Sequence, residues 1–193
     1  GCIAAINYPV LKDVVLPQFL DMVEGTGLLK DDAAGGYHEG QKKARLVVNC
    51  GCPKPRTCKH AAEILFRSLD RPNWMRGLEL AWFFIDEGRH LTMTAWDVLY
   101  GRLRQSGYEH AGWVCSTPNG YDWMWKKFHP RSIDKLDGSK WFGAPTTENE
   151  AHLPAEYIKS LFATYEGLYL RQEVYGEFVG VPEGAVFHAF DQE

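Results

Sequence analysis

Residues 80–85, Leu80-Ala81-Trp82-Phe83-Phe84-Ile85, form an unbroken apolar run that ends in Asp86-Glu87. A strand with one wet face alternates apolar and polar residues, whereas a strand buried on both faces has no polar side to show. A run of this kind belongs inside a parallel sheet, and parallel neighbours need a long crossover connection. The sequence supplies one. Trp96, Leu99, Tyr100 and Leu103 fall at i, i+3, i+4 and i+7, the stripe of an amphipathic helix. Thr94, with Asp97 three residues on, is the expected N-terminal cap, and Gly107 the expected stop. A second apolar strand over 111–116 then runs into Ser116-Thr117-Pro118-Asn119-Gly120. Strand, helix and strand at this spacing predict a right-handed βαβ crossover.

The remainder of the chain extends the same α/β pattern. Residues 1–6 predict a short core strand that begins at once, as in a chain that starts inside a domain. Leu11, Val14, Val15, Phe19 and Val23 sit near helical spacing, with Pro17 expected to kink or divide the helix. Gly25-Thr26-Gly27 ends it, and 31–40 reads as a polar loop. Residues 44–49 and 62–67 predict a β-hairpin whose tip carries a cysteine-rich insert over 49–61. Trp123 and Trp125, followed by Lys126 and Lys127, fit a core-packing helix or a base-stacking surface. Residues 130–138 are expected as a surface excursion and 141–145 as a last strand. Leu153-Pro154-Ala155-Glu156 opens a helix with proline in its first turn, and Tyr157, Ile158, Leu161, Phe162 and Tyr165 form its apolar face. Gly167 breaks it before a second helical stretch, and 186–190 has the look of a further strand.

Composition excludes several classes. Hydrophobic residues make up 45% and charged residues 24%, close to globular averages, so a disordered chain is not expected. The longest apolar run is the one at 80–85, far short of the ~20 residues that cross a bilayer, so a soluble protein without a membrane partner is expected. Net charge is −4, which carries no global nucleic-acid signature. Local basic clusters do occur at Lys42, Lys43 and Arg45, at Lys54, Arg56 and Lys59, and at Lys126, Lys127 and Arg131. Each is either a solvated face or a contact for an acidic partner.

The strand ends carry the chemistry. In an open α/β sheet the site lies outside the carboxyl ends of the strands, where Asp86 and Glu87 fall. Adjacent residues at a strand end point in different directions, so one carboxylate can meet a metal while the other meets a water. Ser116, Thr117 and Asn119 end the neighbouring strand, where a polar group can sense a γ-phosphate. These are parts of a nucleoside-triphosphate hydrolase. A glycine-rich loop with Gly-Lys-Ser/Thr, which such an enzyme also needs, is not among the 193 residues.

At this point the chain resembles the ATPase domain of phage terminase large subunits. The likeness lies in Leu69-Asp70, in Arg76-Gly77 through Asp86-Glu87, in Ser116-Thr117-Pro118-Asn119-Gly120, and in a closing stretch from Asn149 through Arg171-Gln172-Glu173-Val174-Tyr175-Gly176-Glu177-Phe178. The resemblance implies a P-loop NTPase-like parallel sheet of the ASCE type, with flanking helices, the β-hairpin insert and a small C-terminal helical lid. It implies a partial ATPase core over 1–145, a lid over 146–180, and a linker over 181–193 toward a nuclease domain. It implies Mg²⁺ with ATP as cofactor, Asp86 as the Walker B metal aspartate, Glu87 as the catalytic glutamate and Ser116, Thr117 and Asn119 as the coupling element. Arg76 falls where a trans-acting arginine finger is expected, or else forms a local salt bridge. The implied function is an ATP-driven motor that packages double-stranded DNA. Its implied partners are portal protein, small terminase subunit and further copies in a ring, in host cytoplasm and transiently docked on a procapsid. The residues after Glu87, Gly88-Arg89-His90, depart from the family's pattern, and the fragment by itself is expected to be inactive.

Independently of that likeness, Cys50, Cys52, Cys58 and His60 supply four ligands suited to tetrahedral Zn²⁺. The Cys-x-Cys and Cys-x-His spacings are tighter than the usual two-residue gap, and Pro53 and Pro55 stiffen the turn between them. Free thiols at an exposed tip are the alternative. Cys2 and Cys115 are expected as buried core residues. A zinc-bearing nucleic-acid or protein-binding module without catalysis, and a related P-loop helicase, are the rival readings. A helicase would show a Ser-Ala-Thr-type third motif and downstream motor motifs, and neither is in the sequence.

Overall fold

A computed structural model describes residues 1–31 and 35–180. The strand expected at 186–190 and the linker expected over 181–193 lie outside the described residues. Contacts divide the chain into one unit, Gly1–Cys115, and a second that begins at Ser116.

The first unit is a mixed six-stranded sheet. Its strands are β1 (Cys2–Ala5), β2 (Tyr37–His38), β3 (Lys43–Leu46), β4 (Ala62–Ser68), β5 (Trp82–Ile85) and β6 (Ala111–Val114), in the order β2-β3-β4-β1-β5-β6. β1 pairs in parallel with β4 and β5, and β5 in parallel with β6. The apolar run predicted a parallel interior strand, and β5 is one: Phe83 and Ile85 are fully buried. β1 manages its central place with small side chains, Cys2, Ala4 and Ala5, all fully buried. β3 and β4 form the predicted hairpin, antiparallel from Lys43↔Leu65 to Leu46↔Ala62.

One face of the sheet is covered by the helical stretch after β1. Helix α1 (Tyr8–Val10) is capped by the Asn7 side chain, which accepts from the Val10 amide at 2.9 Å. It runs through a π-helical segment, Leu11–Val15, into α2 (Leu16–Val23). The helical stretch is therefore not divided at Pro17. The wide turn that precedes it, with the Leu16 amide donating to the Leu11 carbonyl, takes up the ring and the missing donor. Leu11, Val15 and Leu16 pack with Ala5, Ala44, Ile64 and Phe66 in the core, and Phe19 meets Phe66 edge-on at 5.0 Å.

The crossover helix α3 (Met93–Tyr100) buries Ala95, Trp96, Val98 and Leu99. Trp96 lies edge-on to Phe83 at 5.5 Å, so the helix and β5 share a core. Its cap is Thr92, not Thr94: the Thr92 hydroxyl accepts from the Ala95 amide at 3.2 Å. Its stop is Gly101 rather than Gly107, with the Gly101 amide on the carbonyls of Asp97 and Leu99. Capping needs extended backbone at the residue before the helix, and Thr92 has it. β2 forms inside the stretch expected as loop, because Gly36 lets two backbones meet. A Cβ there would lie 2.1 Å from the Lys30 carbonyl oxygen.

In the second unit, Asp122 caps helix α4 (Trp123–Phe128), accepting from the Met124 and Trp125 amides at 2.9 and 3.1 Å. Trp123 and Met124 are buried, which favours core packing over base stacking for Trp123. Residues 141–145 are irregular, not the expected strand. Gly143 and Pro145 interrupt it, and Trp141 packs on Phe178 at 4.9 Å instead. A 3-10 turn, Thr146–His152, leads into α5 (Ala155–Thr164) and α6 (Gly167–Glu173).

Thr92→Ala should cost about 1 kcal/mol in urea unfolding, the usual value of a lost cap. Thr94→Ala, at an exposed position inside the helix, should stay within about 0.5 kcal/mol of the parent.

Candidate functional site

β5 delivers Asp86 and Glu87 to the carboxyl end of the parallel strands. The Asp86 amide still donates to Ala4 of β1 at 3.2 Å, so the strand keeps its register up to that residue. Glu87 then turns sharply, with φ 53° and ψ 50°, in the left-handed region. A glutamate there is strained by roughly 1–3 kcal/mol. The turn is held from both sides. The Gly88 amide donates to the Cys115 carbonyl at the end of β6, at 3.2 Å, and a 3-10 turn, Gly88–His90, follows.

The consequence is that two consecutive carboxylates leave the strand end on different headings. Asp86 and Glu87 are both half-buried. Glu87 Oε2 is enclosed yet has no hydrogen-bond partner among the described residues, with Arg89 Nε at 4.0 Å. The site also marks its neighbour. Cys115 is exposed rather than buried in the core as expected: it follows β6, a strand at the sheet's edge whose Gly112 and Trp113 are exposed too. Its thiol is pushed up by the desolvation it does suffer, then by the charges of Asp86 and Glu87.

Arg76 lies in the last turn of the 3-10 segment Pro72–Gly77 and is exposed. Its Nε donates to Asn73 Oδ1 at 2.9 Å, and its carbonyl accepts from the Arg102 guanidinium. It makes no salt bridge among the described residues, so the local ion-pair reading of Arg76 is not what the structure places there.

In the second unit, Ser116 Oγ donates to the Thr117 carbonyl at 3.1 Å, and Asn119 is exposed. Gly120 takes φ +58°, and its amide donates to Gln172 Oε1 at 3.4 Å. Gln172 is only 5% exposed, so α6 holds this turn through a buried side chain. The sequence assigns Gln172 no such role, and no spacing could have, since its partner lies far along the chain.

The hairpin tip gathers the second constellation. One ligand atom each from Cys50, Cys52, Cys58 and His60 lies within 4.8 Å of all the others. Cys50 Sγ is 3.5 Å from Cys58 Sγ, well beyond a disulfide bond, and Cys52 Sγ is 3.5 Å from His60 Nδ1. For Cys58, desolvation would raise the thiol. Hydrogen bonds with Cys50, the His60 backbone, Lys30 and Cys52 outweigh it and bring the thiol down to about 6. Beneath the tip lies Lys30, a residue that no sequence pattern marks.

No family profile and no curated protein matches the sequence. Among solved structures, the fold is that of an α/β ATPase domain. The large terminase of a thermophilic bacteriophage superposes with a TM-score of 0.68 over 92% of this chain, at 17% identity. The ADP complex of the same terminase gives 0.67. The ATPase domain of the Thermus phage P74-26 large terminase gives 0.63 over 93% of the chain, at 19% identity. The chain thus has the fold of phage large-terminase ATPase domains. It spans 40% of the length of the first of these terminases and 76% of the Thermus phage ATPase domain.

If the left-handed turn is strained by its side chain, glycine should relieve it where alanine does not. Glu87→Gly should be more stable than Glu87→Ala by about 1 kcal/mol in urea melts, against the usual order for these residues.

Proposed function

We propose that this chain is the hydrolytic part of a terminase-type motor, which couples ATP hydrolysis to movement of double-stranded DNA into a procapsid. The observation that carries the reading is the carboxylate pair at the end of β5, with Glu87 held in a left-handed turn within a terminase ATPase fold. The donor set suits the cofactor, since Mg²⁺ takes hard oxygen ligands and Asp86 offers a carboxylate in a half-buried site. When bound, Mg²⁺ would neutralise charge on the nucleotide's phosphates. Asp86 would hold the ion, and Glu87 would orient and deprotonate the attacking water with its unpartnered oxygen.

The sheet leaves room for the rest of the machinery. Among the described residues β6 pairs with β5 alone, so one of its edges is open. A strand bearing a phosphate-binding loop would add there in parallel, with its loop at the same end as Asp86. Ser116, Thr117 and Asn119, on the chain leaving β6, would relay the state of the γ-phosphate. Residues 146–180 would serve as the lid. Arg76, exposed and without a salt bridge, would reach a nucleotide held by a neighbouring copy in a ring. DNA, a portal protein, a small terminase subunit and further copies of the chain are the partners this reading calls for. A structural Zn²⁺ at Cys50, Cys52, Cys58 and His60 is its second cofactor, on grounds independent of the nucleotide site.

The coding DNA upstream of the Gly1 codon tests the reading directly. An in-frame Gly-x-x-x-x-Gly-Lys-Ser/Thr is expected; a stop codon, or a loop without lysine, overturns it. In the chain extended to include that loop, Glu87→Gln should keep ATP binding and lower turnover by about 10²–10⁴-fold. Arg76→Ala should lower turnover by about 10³-fold or more in assembled rings and leave the isolated subunit unchanged. An equal loss in the isolated subunit would remove Arg76 from a role in trans.

A further inference from the structure

Lys30 is a cation in an odd place. It is 2% exposed, yet among the described residues it has no carboxylate partner. Its ammonium donates to the carbonyls of Pro55 and Cys58, the latter at 3.1 Å, and lies 3.4 Å from Cys58 Sγ. Burying an ammonium costs several kcal/mol unless negative charge is supplied nearby. Two carbonyl dipoles satisfy its hydrogen bonds but not its charge. Among the described residues the remaining neighbour is a thiol.

The backbone fixes where this side chain starts. Residues 28–30 run along β3: Leu29 bridges Leu46, the Lys30 amide donates to Arg45 at 3.0 Å, and the Val47 amide donates to Leu28 at 2.7 Å. Asp31 fastens the other side, with Arg56 Nη2 at 2.7 Å from its carboxylate. The tip itself, residues 47–61, has no helix or strand. A loop of that length needs an organising element of its own. Apolar packing does not supply it, because most of the tip is exposed.

We propose that the tip is a closed, tetrahedral zinc–thiolate centre formed by Cys50, Cys52, Cys58 and His60, and that Lys30 is its buried counter-charge. The inference rests on the zinc assignment made above and deepens it; it is independent of the ATPase reading. Zinc–sulfur bonds of about 2.3 Å give tetrahedral edges of about 3.8 Å. The 3.5 Å separations of Cys50 from Cys58 and of Cys52 from His60 are close to such edges. A zinc ion with three thiolates and one neutral imidazole carries one net negative charge, and Lys30 supplies one positive charge. The centre's negative charge answers the buried ammonium. With four protein ligands the centre has no open position, so its role is structural. It stiffens the tip from which Lys54 and Lys59 project.

Lys30 acts through Cys58 rather than on the ion, so it is a positioning residue. Partners of this kind typically change metal affinity by about 10–100-fold. The reduced chain should bind one equivalent of Zn²⁺, measured by elemental analysis. Loaded with Co²⁺, it should show the intense visible bands of a tetrahedral site and a thiolate-to-cobalt charge-transfer band. Cys52→Ser and Cys58→Ser should lose both. A reduced chain that retains no metal, or a Cys50–Cys58 disulfide found by mass spectrometry, overturns the zinc centre. Given a centre, chelator competition on the same chain isolates Lys30. Lys30→Met should weaken zinc binding at least tenfold, while Lys30→Arg, which keeps the charge, stays within about threefold of the parent. Parental affinity in Lys30→Met overturns the counter-charge role and leaves the zinc centre standing. A loss in Lys30→Arg as large as in Lys30→Met overturns it equally, since charge would then not be what matters.

Discussion

β1 and β6 take the backbone hydrogen bonds of β5 on either side, and α3 covers the face that carries Phe83. Remove either neighbour and the strand would expose Trp82, Phe83, Phe84 and Ile85 together with its unpaired amides. With Phe83 and Ile85 fully buried, Trp82 and Phe84 half-buried and both edges paired, the register runs through three parallel strands to a common end. Everything chemical at that end of the first unit is then a matter of which residue comes next. After Ile85 the register persists for one residue, through the Asp86 amide on Ala4, and then breaks at Glu87. A carboxylate pair placed this way is a product of the sheet, not of any local preference of Asp-Glu.

The break itself is informative. Non-glycine residues in the left-handed region are uncommon, and the described residues hold only two, Lys42 and Glu87. Such a conformation persists where surrounding contacts over-determine it. At Glu87 those contacts are the Gly88 amide on Cys115 and the 3-10 turn that follows. The two ends of the first unit's sheet use opposite strategies. At the carboxyl end of β5, strain is held by the packed parallel core. At the hairpin tip most residues are exposed, and three cysteines and a histidine gather there above the buried Lys30.

Both arrangements depend on charge placed where solvent is partly excluded. Burial, then the charges of Asp86 and Glu87, push the Cys115 thiol up; at the hairpin tip hydrogen bonds from several neighbours bring the Cys58 thiol down against its desolvation, while the Cys52 thiol is pushed up. The same kind of group thus shifts in either direction according to its neighbours, even within the one tip.

Much of this was legible in the chain because it is written in local patterns. The apolar run at 80–85, the stripe of α3, the hairpin flanking the insert and the Cys/His set are all short-range features. The parallel sheet, the resemblance to terminase ATPase domains and the clustering of four ligands followed from them. Errors fell where a local rule had two candidates and packing chose. Thr92 rather than Thr94 caps α3 because its backbone is the extended one. Of the two outcomes expected at Pro17, a kink or a division, the division does not occur, because a π turn makes room for the ring. Residues 141–145 give up strand form to pack Trp141 on Phe178, and Cys115 is exposed as Gly112 and Trp113 of the edge strand before it are. The roles of Lys30 and Gln172 were invisible for a stronger reason. Each matters through partners distant in the chain, Cys58 for one and Gly120 for the other. The sequence alone determined which side chains were available and which strands had to be buried. Only the tertiary structure decided which charges would face each other, since that depends on contacts that no local spacing encodes.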